Sequence, residues 1–203
     1  MSRLVGIAGR MSVGKSEVAQ MLQETQDYEG VSFAKPLKEM AAVLMHNLGY
    51  SCEGVDFYLT HKYSVIPKLG ISMRHLLQTL GTEWGRMMIK RSLWVDLADF
   101  NISEAFEYAD VVIDDVRFED EAAFIRDHDG LVIHLRRPGA GSASDHVSES
   151  GITVGARDVV VMNEGSLGDL FIAVNGAIER FFYDGDRLVE LCLTPCAGYR
   201  VES

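Results

Sequence analysis

Lys15 and Ser16 close the run Gly9-Arg10-Met11-Ser12-Val13-Gly14-Lys15-Ser16. An ammonium beside a hydroxyl at the end of a glycine-framed loop suits the holding of phosphate. Gly9 and Gly14 let the backbone bend so that successive N–H groups point inward at an anion, and a helix starting at Lys15 adds the positive end of its dipole. Lys15 reaches the outer phosphates of a nucleoside triphosphate, the Ser16 hydroxyl is placed to ligate Mg²⁺, and Arg10, Ser12 and Val13 lend loop amides. The apolar run Leu4 to Ala8 before the loop and the helix-like segment after it supply the context that G-x-x-x-x-G-K-[ST] requires.

Further charged residues stand at the ends of apolar runs. Val111-Val112-Ile113 finishes in Asp114-Asp115, and Asp114 is the candidate for the second Mg²⁺-organising carboxylate that phosphoryl transfer needs. Arg117 follows at once. Arg136 and Arg137 follow Leu131 to Leu135 and precede a segment of Gly, Ala and Ser, so residues 136–155 read as a flexible lid with two arginines at its hinge. The polar Asn163 ends Val159 to Met162 in the same way and joins the loop residues as a candidate for binding the nucleoside triphosphate. Arg74 and Gln78, four apart on a helix, share a face with Gly81, Thr82 and Gly85. Each interior glycine costs about 1 kcal/mol relative to alanine. Such a stripe suits either the close approach of a ligand or close helix packing through the glycines.

The elements that must position these residues follow from periodicity. Strands are expected at 3–8, 31–34, 111–115, 131–135 and 159–162. Helices are expected at about 15–26, with Val18, Met21, Leu22 and Thr25 on one side, at 36–48, from a Ser72 cap through Ile89, and from Trp94 to Tyr108. Two more run to His128 and from Leu167 to Phe182. Leu76, Leu77, Leu80, Trp84, Met87 and Met88 form the expected core stripe of the Ser72 helix. Residues 50–70 show no clean period and read as a surface excursion, and the tail from Asp184 reads as a short strand or hairpin. Alternating strands and helices imply an α/β fold, a parallel sheet covered on both faces with its ligand at the carboxyl ends of the strands. The loop, Phe33, Asp114, Arg136 and Asn163 all fall at such ends.

With 203 residues and 47% hydrophobic content, the chain fits a single domain over 1–203 with a substantial core. Its formal charge of −11 disfavours a nucleic-acid polymer as partner, because that requires a broad cationic surface. No apolar run approaches the ~20 residues that span a bilayer, so a soluble, cytoplasmic protein is expected without membrane partners. Cys52, Cys192 and Cys196 read as free thiols. The guanine-reading Asn-Lys-x-Asp of a GTPase and the Gly-rich signature of a transporter ATPase are both absent. The size and the arginines suit a small-molecule kinase.

Phe33-Ala34-Lys35-Pro36-Leu37-Lys38, the run from Arg74 to Arg86 containing Leu-Leu-Gln and Gly-Thr-Glu-Trp, Val112 to Phe118, and His146-Val147-Ser148-Glu149 resemble the signature blocks of the bacteriophage deoxynucleoside monophosphate kinase family. The resemblance runs from the loop to about Leu170. It implies a three-layer αβα fold like that of the phosphate-loop nucleoside monophosphate kinases, with a mostly parallel five-stranded sheet, an acceptor-binding helical region at about 35–108, and a lid. It implies transfer of the ATP γ-phosphoryl group to a deoxynucleoside 5′-monophosphate with Mg²⁺, in a phage-encoded protein of the host cytoplasm; family members are often homodimers. Lys15, Arg74, Arg117, Arg136 and Arg137 are then the catalytic candidates. Phe33, Lys35, Lys38, Gln78, Trp84, Asp114, His146 and Glu149 join Arg74 and Arg117 around the acceptor, with Phe33 and Trp84 against the base and Gln78 at its edge. A kinase for another small acceptor, such as dephospho-coenzyme A, and a non-catalytic nucleotide-binding module stay open beside this reading.

Overall fold

The computed structural model describes residues 2–139 and 152–184. The chain divides into two compact units, one built from Met1–Ser32 and the chain from Asn101 onward, the other from Phe33–Phe100.

The first unit is organised on a five-stranded sheet in the order β2-β5-β1-β6-β7. Its strands are β1 (Leu4–Ala8), β2 (Tyr28–Val31), β5 (Asp110–Val116), β6 (Leu131–Arg136) and β7 (Val159–Met162), and every ladder among them is parallel. Strands buried on both faces read as continuous apolar runs, which is why β1 and β6 lack alternation. Successive residues of β1 separate the covering helices. Val5 and Ile7 pack in one core with Val18 and Leu22 of α1 (Lys15–Thr25) and Leu170 and Val174 of α7 (Leu167–Glu179). The intervening Gly6 lies against Ile125 of α6 (Glu119–Asp127), so α6 covers the other face. The register of β1 on β5 runs Leu4↔Val111, Val5↔Val112, Gly6↔Ile113 and then Ala8↔Val116, one extra residue on β5 at Asp114–Asp115.

Strand β2 ends at Val31, three residues earlier than periodicity suggests, and Ser32 to Ala34 form the turn into α2. On α1 the buried residues are Val18, Ala19 and Leu22, with Thr25 exposed.

The second unit holds α2 (Lys35–Asn47), α3 (Cys52–Thr60), a two-stranded antiparallel hairpin of β3 (Val65–Ile66) and β4 (Ile71–Ser72), α4 (Met73–Gln78), and the start of α5 (Leu93–Ala105). Residues 50–70 are therefore ordered, in contrast to the excursion expected. Ser51 caps α3 by accepting from the Gly54 N–H, and Gly70, at φ 70°, turns the hairpin. Ala41, Met45, Val55, Ile66 and Met73 form the core beneath.

Ser72 caps α4 as expected, accepting from the His75 N–H at 3.2 Å. From Thr79 to Ile89 the helix changes to π winding, whose i→i+5 bonds carry side chains round the axis at a different rate. The 3.6-residue stripe loses phase there. Met87 and Met88, expected in the core, are 76% and 75% exposed, whereas Gly81 and Gly85 are buried. Trp94 Nε1 donates to the Gly81 carbonyl at 2.8 Å, and a Cβ on Gly85 would come within 2.5 Å of the Trp94 ring. Gly85 thus admits the indole, and a Cβ on Gly81 would press on Leu37 of α2 at 3.1 Å, which decides for packing between the two uses open to them.

Candidate functional site

The phosphate loop joins β1 to α1 at the carboxyl edge of the sheet. Three of its residues take left-handed backbone, Gly9 (φ 148°), Ser12 (φ 64°) and Gly14 (φ 105°), the last as N-cap of α1. Gly9 has a second reason to be glycine, because a Cβ there would lie 2.5 Å from the Leu135 carbonyl oxygen. Lys15 Nζ donates to the carbonyls of Gly9 (2.9 Å) and Arg10 (2.8 Å), so the ammonium spans the loop it belongs to. Burial, and after it the charge of Arg117, lower the Lys15 pKa, while Asp114, Asp115 and Glu17 partly offset them. Arg117, Asp114 and Asp115 therefore act on one ammonium.

Ser16 Oγ donates to Asp114 Oδ2 at 2.7 Å, joining the first turn of α1 to β5. The neighbouring Asp115 accepts from Ser32 Oγ at 2.7 Å. A hydroxyl and a carboxylate are hard oxygen donors of the kind Mg²⁺ takes, and that ion commonly uses one or two carboxylates with substrate phosphates and water. Among the described residues no group of three or more His, Cys, Asp or Glu side chains could hold a metal ion.

Asn163 is buried at the end of β7. Its Nδ2 donates to the Val13 carbonyl at 2.9 Å and its backbone N–H to the Arg136 carbonyl at 2.7 Å. It fixes the crest of the loop from behind. Arg136 and Arg137 are exposed at the end of β6, and Arg10 is exposed on the loop.

Two supports in this unit escape a motif search. Glu121 is buried, and its carboxylate accepts from the Arg117 (2.7 Å) and Phe118 (3.1 Å) amides, setting the backbone that carries Arg117. Its position three residues after Phe118 has capping-box spacing, hidden because Phe118 is no capping residue. Asp158 is buried and accepts from His134 Nε2 (2.8 Å), Arg126 Nη2 (2.6 Å) and the Gly155 N–H (2.7 Å). Burial pushes its pKa up, but the bonds from His134, Arg126 and Gly155 outweigh that and hold it well below the usual carboxylate range. An ionised carboxylate only accepts, so His134 carries its proton on Nε2. No sequence signal links these residues.

The second unit carries the remaining described candidates. Phe33 is buried, Lys35 and Lys38 are exposed in the first turn of α2, and Gln78 and Trp84 are half-buried. Arg74, in the first turn of α4, is half-buried; its Cζ lies over the ring of Tyr63, 5.4 Å from the centroid. His146, Glu149, most of the expected lid, the tail beyond Asp184 and two of the cysteines fall outside the described residues; Cys52 is exposed with a free thiol. No helix among the described residues is long and apolar enough to cross a membrane.

A parallel sheet whose first strand feeds a left-handed, glycine-framed loop, with a hydroxyl and a carboxylate paired beside it, defines the class of phosphate-loop nucleotide-binding folds. Residues 60–174 match the family model described as deoxynucleotide monophosphate kinase. The chain is 37% identical over 219 aligned positions to the deoxynucleoside-5′-monophosphate kinase of Escherichia phage T5, covering 75% of this chain and 86% of that one. It is 32% identical over 110 residues to the deoxynucleotide monophosphate kinase of Enterobacteria phage T4, and 35% over 104 residues to that of Escherichia phage RB69. Those two matches take in 53% and 49% of this chain and 46% and 42% of the relatives, so the matched region spans under half the length of each relative. An unliganded sugar kinase from a Janibacter species matches with a TM-score of 0.47 and 12% identity, over 88% of this chain and 95% of that one. This chain belongs to the deoxynucleotide monophosphate kinase family.

Proposed function

We propose that this protein transfers the γ-phosphoryl group of ATP to a deoxynucleoside 5′-monophosphate, giving the diphosphate. The observation that carries the reading is the 2.7 Å contact of Ser16 with Asp114 at the phosphate loop of a chain from this family. The nucleophile is a phosphate oxygen that is already anionic, so no strong general base is needed. The residues have to hold two polyanions in line and neutralise spreading charge.

Lys15 and the amides of Gly9 to Ser16 take the donor phosphates, with Asn163 and Glu121 keeping the loop and Arg117 in place. Ser16 and Asp114 would hold Mg²⁺, which when bound offsets phosphate charge. Arg136 and Arg137 serve the transferring group. Arg74, Lys38 and Arg117 take the acceptor phosphate, Lys35 adds positive charge near it, and Gln78, Phe33 and Trp84 serve the base. His146 and Glu149 complete the acceptor set by resemblance. We take the working form to be a soluble homodimer in the cytoplasm of a phage-infected host, supported by the exposed apolar run Met87-Met88-Ile89 and checked by light scattering.

Coupled ADP release with a panel of monophosphates tests the activity. Turnover with at least one deoxynucleoside monophosphate, and none with dephospho-coenzyme A, is expected. Turnover confined to dephospho-coenzyme A, or ATP binding without transfer to any acceptor, sinks the reading.

A further inference from the structure

The hairpin of the second unit brings together two residues that the sequence keeps apart. Its ladder pairs Ile66 with Ile71 and Val65 with Ser72, and the same register continued two residues outward sets Tyr63 opposite Arg74. Both strands are anchored close by, since Ile66 and Met73 are fully buried in the core of this unit. The extension is closed by hydrogen bonds as well as by register. The Arg74 N–H, one of the donors that a helix start leaves without an intrahelical partner, donates to the Lys62 carbonyl at 2.7 Å, and the Ser64 N–H closes a turn on the His61 carbonyl at 2.9 Å. Arg74 is thus gripped by two consecutive residues, at its backbone by Lys62 and at its guanidinium by the ring of Tyr63.

Tyr63 spends an aromatic ring on this contact while remaining 70% exposed, an arrangement that core packing does not explain. The ring face attracts the guanidinium charge without taking a hydrogen bond from it, and the planar fork of an arginine is the geometry that binds a phosphate in bidentate fashion. We propose that Tyr63 is a positioning residue for the acceptor: it holds the Arg74 guanidinium in the orientation that receives the 5′-phosphate of the monophosphate. The inference rests on the kinase reading above and adds to it the residue that sets Arg74.

The experiment is a double-mutant cycle on Tyr63 and Arg74 read by steady-state kinetics in both substrates. Tyr63→Ala raises the KM for the deoxynucleoside monophosphate by about three- to fivefold, the size of one exposed cation–π contact, and leaves the KM for ATP and the melting temperature unchanged. Tyr63→Phe, which keeps the ring, recovers most of that loss. In the Arg74→Ala background the Tyr63→Ala change has no further effect, because its only route to the acceptor is gone. Equal losses from Ala and Phe, additive losses in the double variant, or a parallel rise in the KM for ATP would each overturn the assignment. A wild-type protein that turns over no deoxynucleoside monophosphate overturns the kinase reading and this inference with it, whereas an active wild type with an additive cycle overturns the inference alone.

Discussion

The phosphate loop and the Arg74 region each hold a cation in place, and they do it by opposite means. Lys15 is placed by its own stretch of chain: left-handed backbone at Ser12 and Gly14, and two carbonyls of the loop beneath its ammonium. Arg74 is placed from outside, by a carbonyl and a ring from the far arm of a hairpin. Local backbone demand selects residue types, so the loop must have glycine where φ is positive and crowded. Tertiary placement leaves residue types freer and relies on the anchors Ile66 and Met73.

Removing each cation separates the two cases most sharply. Lys15→Ala is expected to lower turnover by at least about 10²-fold, the scale for losing one preorganised charge contact to a transferring group. The melting temperature should hold, since among the described residues the side chain bonds only to its own loop. A folded Lys15→Ala protein that keeps a sizeable share of its turnover would remove the loop from the reaction. Arg74→Ala should cost the acceptor alone: its kcat/KM falls by about tenfold or more, from roughly 1.5–3 kcal/mol for a charged hydrogen bond, while ATP affinity is unchanged. Equal loss for both substrates would place Arg74 with the donor.

Smaller effects test what supports each region. Gly85→Ala adds a methyl group 2.5 Å from the Trp94 ring, and urea unfolding should show a loss of about 1–3 kcal/mol with the acceptor KM intact. An unchanged stability with a raised KM would return the glycine face to a ligand. The Asp158 network has its effect outside the working pH range. Its folded pKa lies below the ordinary 3.8, so the unfolded chain binds that proton more readily; the stabilisation is complete above about pH 5 and drains away as pH falls through 3.8 toward the folded value. The difference in urea midpoint between the wild type and Asp158→Asn should be flat from about pH 8 to about pH 5 and shrink below that; a difference that shrinks near neutrality would count against the Asp158 carboxylate as its source.

Where residue type and spacing are dictated by chemistry, the sequence alone was enough to read: Gly9 to Ser16 between β1 and α1, and β7 at Val159–Met162, stand where the pattern places them, whereas Asp114 lies two residues inside β5 and not at its end. The fold was legible for the same reason, because a doubly covered parallel sheet needs unbroken apolar strands between amphipathic helices. Reading failed where the winding changed. Met87 and Met88 continue an α-helical stripe on paper, and π winding from Thr79 turns them out and the glycines in. It also failed where partners meet only through tertiary structure, as Asp158 with His134 and Tyr63 with Arg74 do. A two-residue strand such as β3 is too short to show alternation at all.

The extra residue in β5 has a consequence for how this chain can vary. Upstream of it, Val111, Val112 and Ile113 pair with β1 in step, and any apolar side chain of similar volume satisfies those positions. Downstream, Ala8 meets Val116, so the two acids occupy a stretch of strand longer than its partner. Asp114 turns to Ser16 and Asp115 to Ser32 because of that surplus length. Substitution along the strand is therefore tolerant and gain or loss of one residue is not. A single-codon deletion between Ile113 and Val116 would restore an unbroken ladder and carry the carboxylate away from Ser16, so inheritance at this point acts on the count of residues as strictly as on their kind.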